Sequence, residues 1–245
     1  MGIITDETLS KRNLNEETSI TFSCPKCGNS VEYSEDCAGS AQPCPYCGED
    51  VIVPRSGNQE GFAPPLPIET PRLVLRKFQF EDFPDALEIL SDPETFRYEE
   101  RPPMDEAEVK LWLERVVKEK LSDTSGELTL GVVLRDGHKL IGLLWMKYVD
   151  SNRQQASLRI QINNSFKRQS FGFEAFQAAL SFCLQDIGLH RVTATCDSRN
   201  TAAVRLLTKL RMRNEAECLR DRFIDGEWAD SLWFAMTEEE LPQGS

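Results

Sequence analysis

The 245-residue chain has no excess of positive charge, no apolar run of membrane-spanning length and few histidines. Twenty-eight Lys and Arg stand against 40 Asp and Glu, a formal net charge of −12, so the molecule as a whole repels phosphate backbones and anionic lipid. Cationic partners are favoured over nucleic acid. The opening residues, MGIITDETLSKRNLNEETSI, lack the basic start and apolar run of a signal peptide, and Asp6 stands where a myristoylation motif wants Ser or Thr. No later stretch reaches the length of a membrane helix. The expectation is a soluble, cytoplasmic protein with no membrane partner. His138, beside a hairpin turn, and His190, opening a strand, both read as structural.

Cysteine is present in number and unevenly placed. Of eight, five fall between Cys24 and Cys47, while Cys183, Cys196 and Cys218 are scattered; such clustering points to metal rather than to a disulfide framework. The segment CPKCGNSVEYSEDCAGSAQPCPYCG holds two Cys-Pro-x-Cys-Gly knuckles with sixteen residues between Cys27 and Cys44. Each knuckle places two thiolates within reach of one ion, and Gly28 and Gly48 permit the positive φ that turns backbone N–H groups toward sulfur. Cys24, Cys27, Cys44 and Cys47 are the candidate ligands of a structural zinc, whose binding adds folding energy that so short a segment cannot draw from its own core. A pair of redox dithiols or two disulfides is the alternative. With VIVP after the second knuckle, the pattern resembles small zinc-ribbon domains, and Cys37 belongs to neither knuckle.

From Thr21 to Arg55 only Lys26 and Arg55 offset Glu32, Glu35, Asp36, Glu49 and Asp50. This acidic balance favours docking to a protein over binding DNA or RNA. The Pro- and Gly-rich stretch PRSGNQEGFAPPLPIET reads as a linker. The expected organisation is a tail at 1–19, the ribbon at 20–55, the linker at 56–66 and a larger domain at 67–245.

The larger domain alternates. RLVLRKF reads as a strand, EDFPDALEILSD as a short helix, and Val109, Trp112, Leu113, Val116 and Val117 recur on one face of another helix. Asp136-Gly137 and Asp225-Gly226 each mark a hairpin. Between them come the strand ASLRIQIN, a helix from Phe173 to Gly188, the strand HRVTATC and the helix NTAAVRLLTKL. The expected class is α/β, with a mixed, mostly antiparallel central sheet flanked by helices and preceded by the small four-cysteine zinc ribbon.

That order, with IETPRLVLRKFQFEDFPDALEILSDPE, IGLHRVTATCDSRNTAAVRLLTKLRMRNE and LRDRFIDGEWADSLWFAM, resembles the GNAT acyltransferase superfamily. The branch it resembles acetylates ribosomal-protein N-termini. The resemblance spans about Pro67 to the C-terminus and implies acetyl-CoA as cosubstrate and an amine acceptor, a small molecule or a protein N-terminus. It aligns Lys167, Arg168, Gln169, Ser170, Phe171 and Gly172 with the family's Gln/Arg-x-x-Gly-x-Gly/Ala loop. Physically, these residues and Phe173 form a helix N-terminus that offers N–H groups, a positive dipole end and two cations to a pyrophosphate.

The resemblance further implies cofactor contacts from Ile162, whose backbone N–H would serve as oxyanion donor, and from Asn200 and Ala203. Asn200 also reads as a helix N-cap. Three departures stand out: Lys167 replaces Gln or Arg, Ser170 replaces the first glycine, and Arg211 replaces the glycine of Lys-Leu-Gly-Phe. Leu207 and Ala203 occupy the places of the family's acidic Tyr and its Ser alternative, and ASLRIQIN carries no carboxylate base. Tyr148, Asp150, Glu99 and Glu100 are the remaining candidates for proton transfer. A binding or regulatory protein that has lost turnover is the competing reading.

Overall fold

The computed structural model describes residues 19–24, 26–53, 66–119, 126–151 and 153–241. The chain divides into two compact units at Val53 and Pro54. The expected tail and linker fall almost wholly outside the described residues.

The first unit is two small antiparallel hairpins. Strand β1 (Ser19–Ser23) pairs with β2 (Ser30–Ser34), and β3 (Ala41–Pro43) with β4 (Asp50–Ile52). Its apolar core contains Val31 and Val51 beside the thiols of Cys24 and Cys44, with Phe22 and Tyr33 packed against them.

The second unit carries an eight-stranded sheet. Its strands are β5 (Ile68–Glu69), β6 (Leu73–Lys77), β7 (Glu127–Leu134), β8 (Leu140–Tyr148), β9 (Gln155–Ile162), β10 (Arg191–Asp197), β11 (Arg213–Ile224) and β12 (Glu227–Thr237), in the spatial order β11-β12-β10-β9-β8-β7-β6-β5. Every neighbouring pair is antiparallel except β9 and β10. That parallel pair requires a crossover, which helix α4 (Phe171–Ser181) makes.

Helices α1 (Phe83–Leu90) and α3 (Glu106–Val116) cover one face of the sheet around Phe78, Trp112 and Leu143. Asp105 and Glu108 close a reciprocal capping box at the start of α3, each carboxylate accepting from the other's amide, and its four buried residues are the periodic Val109, Trp112, Leu113 and Val116. The other face packs α4 and α5 (Thr201–Lys209) around Phe176, Leu180 and Leu207.

The structure adds two features to the expected pattern. The turn α2 (Pro93–Phe96) starts from Asp92, whose side chain accepts from the Glu94 amide, just where the first helix was expected to end. The helix expected to run to Gly188 changes at Phe182 into a π-helical stretch through Asp186 before Gly188 takes φ 75°. No helix among the described residues is long and apolar enough to cross a membrane.

Candidate active site and thiol cluster

The central feature of the larger unit is a place where the sheet opens. Strands β9 and β10 pair only over Gln155 to Ser157 against Arg191 to Thr193. Beyond that point each keeps its outer partner, β9 with β8 as far as Ile162 and β10 with β12 as far as Asp197. Two inner strand edges are thus left without a ladder, and buried backbone N–H and C=O groups of that kind call for hydrogen-bonding partners. A cavity of about 290 Å³ occupies the opening, walled by Ser157 to Ile160 on one side and Ala194 to Asp197 on the other.

Side chains alternate across a sheet, so this cavity has two unlike ends. Leu158, Ala194 and Cys196 belong to the α4–α5 core, which Ile160 also packs against, and with them the cavity is lined by Phe176, Asn200, Ala203, Leu206 and Leu207. That end is almost wholly apolar. Ser157, Arg159, Thr195 and Asp197 point to the α1–α3 side, where Tyr98, Glu99, Glu100 and Arg222 complete the lining. This end is polar and charged.

The expected anion loop stands at the N-terminus of α4. Arg168 and Ser170 both adopt left-handed backbone, φ 63° and φ 64°, on either side of Gln169. This alternation turns successive N–H groups toward one side. Ser170 therefore follows the glycine-like path despite its Cβ, and its hydroxyl makes no capping bond. Lys167 and Arg168 are exposed beside it. A Cβ at Gly172 would come 3.4 Å from Cγ1 of Ile162, so the loop closes on the end of β9. The Asn163 amide donates to the Ile141 carbonyl on β8 (2.8 Å); alternation then aims the Ile162 N–H away from β8, toward the opening.

A brace that the sequence does not announce holds this loop. The Glu174 carboxylate accepts from Thr70 Oγ1 (2.6 Å), the Arg72 amide (2.9 Å) and Arg72 Nε (2.7 Å). Arg72 also donates through Nη1 to the Gln169 carbonyl (3.1 Å) and lies over the Phe171 ring at 4.5 Å. Burial would raise the Glu174 pKa, but the bonds from Thr70 and Arg72 outweigh it and hold the carboxyl below its usual range. Lys209 Nζ lies 4.2 Å from the centre of the Phe173 ring. Asn200 caps α5 by accepting from the Ala203 amide (3.1 Å) while lining the cavity.

Of the candidates for proton transfer, Glu99 and Glu100 line the cavity and Tyr148 and Asp150 do not. Asp150 accepts from the amides of Gln154 (3.2 Å) and Gln155 (2.9 Å), which closes the turn between β8 and β9. Tyr148 packs beside Gly126, and burial pushes its phenol up to about 12. Asp150 is therefore a turn residue and Tyr148 a strand-end residue paired with Ala156. Leu207 and Ala203 line the apolar end, where burial pushes the Cys196 thiol up to about 11.

In the first unit, the Sγ atoms of Cys24, Cys27, Cys44 and Cys47 lie within 4.8 Å of one another. The approaches of 3.9 Å (Cys24 to Cys47) and 3.8 Å (Cys27 to Cys44) are far beyond a disulfide bond. A tetrahedron with metal–sulfur bonds of about 2.3 Å has edges of about 3.8 Å. The knuckles are built alike: Gly28 and Gly48, at φ 74° and 75°, donate to the carbonyls of Cys24 (2.8 Å) and Cys44 (2.9 Å). The thiols also perturb one another. Burial raises Cys24, but the amides of Cys27 and Lys26 bring it down to about 7. The Glu49 amide draws Cys47 down, yet burial and the three neighbouring thiols push it up to about 12. Four sulfurs this close are fully ionised together only around a cation. Cys37 is not one of the four.

The sheet is thus mixed and split between its two parallel strands, with the N-terminus of α4 and two exposed cations at the end of the first. Residues 72–213 match the acetyltransferase (GNAT) domain family, and the chain belongs to that family. It is an acetyl-CoA-dependent N-acetyltransferase. The uncharacterised N-acetyltransferase YnaD of Bacillus subtilis is 29% identical over 174 residues, covering 71% of this chain and 98% of YnaD. Among solved structures, a GNAT-family acetyltransferase from Bacillus anthracis superimposes with a TM-score of 0.65 at 25% identity, over 71% of this chain and all of that one. The spermidine N-acetyltransferase of Vibrio cholerae, solved with CoA and spermine, shares the fold at 18% identity with a TM-score of 0.61, over 70% of this chain and 98% of its own. The thiol cluster lies outside the residues matched to the family.

Proposed function

We propose that the chain acetylates a primary amine, in first place a peptide N-terminus, in a ternary complex with acetyl-CoA held in the split between β9 and β10. The observation that carries this reading is the two-ended cavity. The apolar end beside α4 and α5 suits the pantetheine arm, whose amides pair with the free strand edges. The loop from Lys167 to Phe173, with Ile162 nearby, suits the pyrophosphate, and Asn200 and Ala203 flank the arm. The amine enters from the charged end, where the exposed Glu100 meets an ammonium beside the Glu99–Arg159 pair. After losing a proton to water or to one of these carboxylates, its nitrogen attacks the thioester carbonyl. The N–C bond forms, a backbone N–H on the free edge of β9 meets the developing oxyanion, and the C–S bond breaks to release CoA as a thiolate that takes a proton from water.

Calorimetric titration with acetyl-CoA, repeated on Lys167→Ala/Arg168→Ala, tests the cofactor half. Micromolar binding that weakens at least tenfold in the variant is expected. Unchanged affinity would remove the loop from the site. Release of CoA thiol over an amine panel tests turnover, and acetyl-CoA binding with no turnover on any amine would favour a regulatory protein. Leu207 and Ala203 on the cavity wall are the observation on that side.

In the first unit, a structural zinc on Cys24, Cys27, Cys44 and Cys47 fits the donor set and the sulfur spacing. This unit is proposed as a ribbon at 20–55 joined through 56–66 to the catalytic domain at 67–245. Its exposed Glu32, Glu35, Asp36, Glu49 and Asp50 suit docking to a basic protein surface. A cytoplasmic setting, reducing enough to keep the thiols free for metal, is consistent with this arrangement.

A further inference from the structure

At the charged end of the cavity the acidic groups are nearly all taken. Glu99 pairs with Arg159. Asp197 accepts from the Arg199 amide (2.8 Å), Nε (3.0 Å) and Nη2 (2.8 Å). Arg159 in turn lies over the Trp145 ring, 5.3 Å from its centre. Among the cations here, Arg222 is held least firmly. Its side chain is only 18% exposed, yet its one ion-pair contact is Glu100 at 3.7 Å, and among the described residues it makes no side-chain hydrogen bond. A guanidinium carries five N–H donors, and those of Arg222 face the cavity, where an acceptor on a ligand can replace water. Glu100, 58% exposed, is free to turn back into water.

The backbone is built to put Arg222 there. Between Cys218 and Arg222 the β11–β12 register slips: Cys218 faces Ser231 and Arg222 faces Ala229, so three residues of β11 span one of β12. Within this bulge Arg220 takes φ 52°, its amide donates to Asp230 Oδ1 (2.7 Å), and Ser231 Oγ donates to Asp221 (2.5 Å). Bulges beside active sites re-aim a side chain. This one adds two residues, which leaves Arg222 on the face of Ser231 but brings it opposite Ala229 rather than Glu227, nearer the cavity.

We propose that Arg222 is the acceptor-recognition residue and that it selects amines carrying a carboxylate close to the amino group. Its planar fork binds a carboxylate through two parallel bonds, with Glu100 displaced. The displaced Glu100 remains for the ammonium. A polyamine would instead place a second cation against Arg222 and Arg159. This inference rests on the acetyltransferase reading and narrows its substrate class.

The carboxylate has two sources, the α-carboxylate of a free amino acid or an acidic first side chain of a peptide, and matched pairs separate them. With saturating acetyl-CoA, CoA release is followed for alanine against alaninamide, for an aspartyl tetrapeptide amide against its asparaginyl counterpart, and for spermidine. The acid member of at least one pair is expected to lead by about 10- to 100-fold in kcat/KM, mainly through KM. Arg222→Gln is expected to abolish that lead, lowering kcat/KM at least about tenfold more for the acid member than for the amide member. Arg222→Lys, keeping charge without the fork, is expected to restore only part of it. Equal rates within both pairs, a preference for spermidine, or equal loss on acid and amide would overturn this inference alone. Failure of acetyl-CoA to bind would overturn it together with the acetyltransferase reading.

Discussion

Glu174→Gln isolates the brace under the anion loop. The native carboxylate, 17% exposed, gathers Thr70 Oγ1 and the amide, Nε and Nη2 of Arg72, whose own side chain is 46% exposed. The amide replacement keeps the size but turns one oxygen into a donor that faces donors. Hydrogen bonds to a charged group contribute about 1.5–3 kcal/mol each, but the half-exposed Arg72 recovers hydration when released, so the net loss is about 2 kcal/mol. For a unit of this length that corresponds to a fall of about 4–8 °C in Tm. Because Arg72 also holds the Gln169 carbonyl, acetyl-CoA affinity is expected to fall severalfold with the loop freed.

The sign of the pH dependence follows from the depressed pKa of Glu174. The brace stabilises fully above the unfolded-state value of about 4.3 and is lost as pH falls through the lower folded-state value. Differential scanning calorimetry of wild type and Glu174→Gln from pH 7 to pH 3.5 should therefore show a gap that narrows in acid. A gap below about 1 °C at pH 7, or one that widens in acid, would falsify the assignment.

Arg211 follows α5 at φ 63° in a Schellman cap, its amide donating to the Thr208 carbonyl and that of Met212 to Leu207. Arg211→Gly should stabilise the domain by about 1 kcal/mol in urea unfolding while Arg211→Ala, still strained, stays near wild type; equal stability of the two variants would exclude the strain. At Gly142 a Cβ would come 2.5 Å from the Gln161 carbonyl oxygen and 2.7 Å from Ile162 Cδ1. Gly142→Ala is thus expected to push the end of β9 outward and cost about 3 kcal/mol or more, seen as lost acetyl-CoA binding and a lowered Tm. Chelation of the zinc-loaded protein, or Cys24→Ser, should unfold the first unit, since so small a core depends on its metal. Proton release on rebinding zinc, followed with a pH indicator, checks the thiolates, and a first unit that keeps its amide-exchange protection without metal would refute the assignment.

What the residues determine locally was legible from their order. The doubled knuckles bring the thiols of Cys24, Cys27, Cys44 and Cys47 within 4.8 Å of one another, as their spacing suggests. The periodic Val109, Trp112, Leu113 and Val116 do form the buried stripe of α3. Asn200 caps α5, as its place before an apolar run suggests, and it also lines the cavity. At Ser170 and Arg211 the residue type argued against the backbone path, and both nevertheless adopt it. Tertiary packing on both sides overrides a local preference of about 1 kcal/mol.

Tertiary structure alone decided the rest. Whether β9 and β10 stay paired depends on the partners each holds on its other edge, which no window of sequence contains. The Arg72–Glu174 brace joins residues 102 positions apart. Charge roles also had to wait for partners. Asp197 takes Arg199 and also feels the charge of Arg222, Glu99 takes Arg159, and a bulge in β11 sets Arg222 opposite Ala229 beside the cavity. Short-range propensity sets which elements form, whereas the function of a charged side chain is set by what the fold leaves within about 4 Å of it.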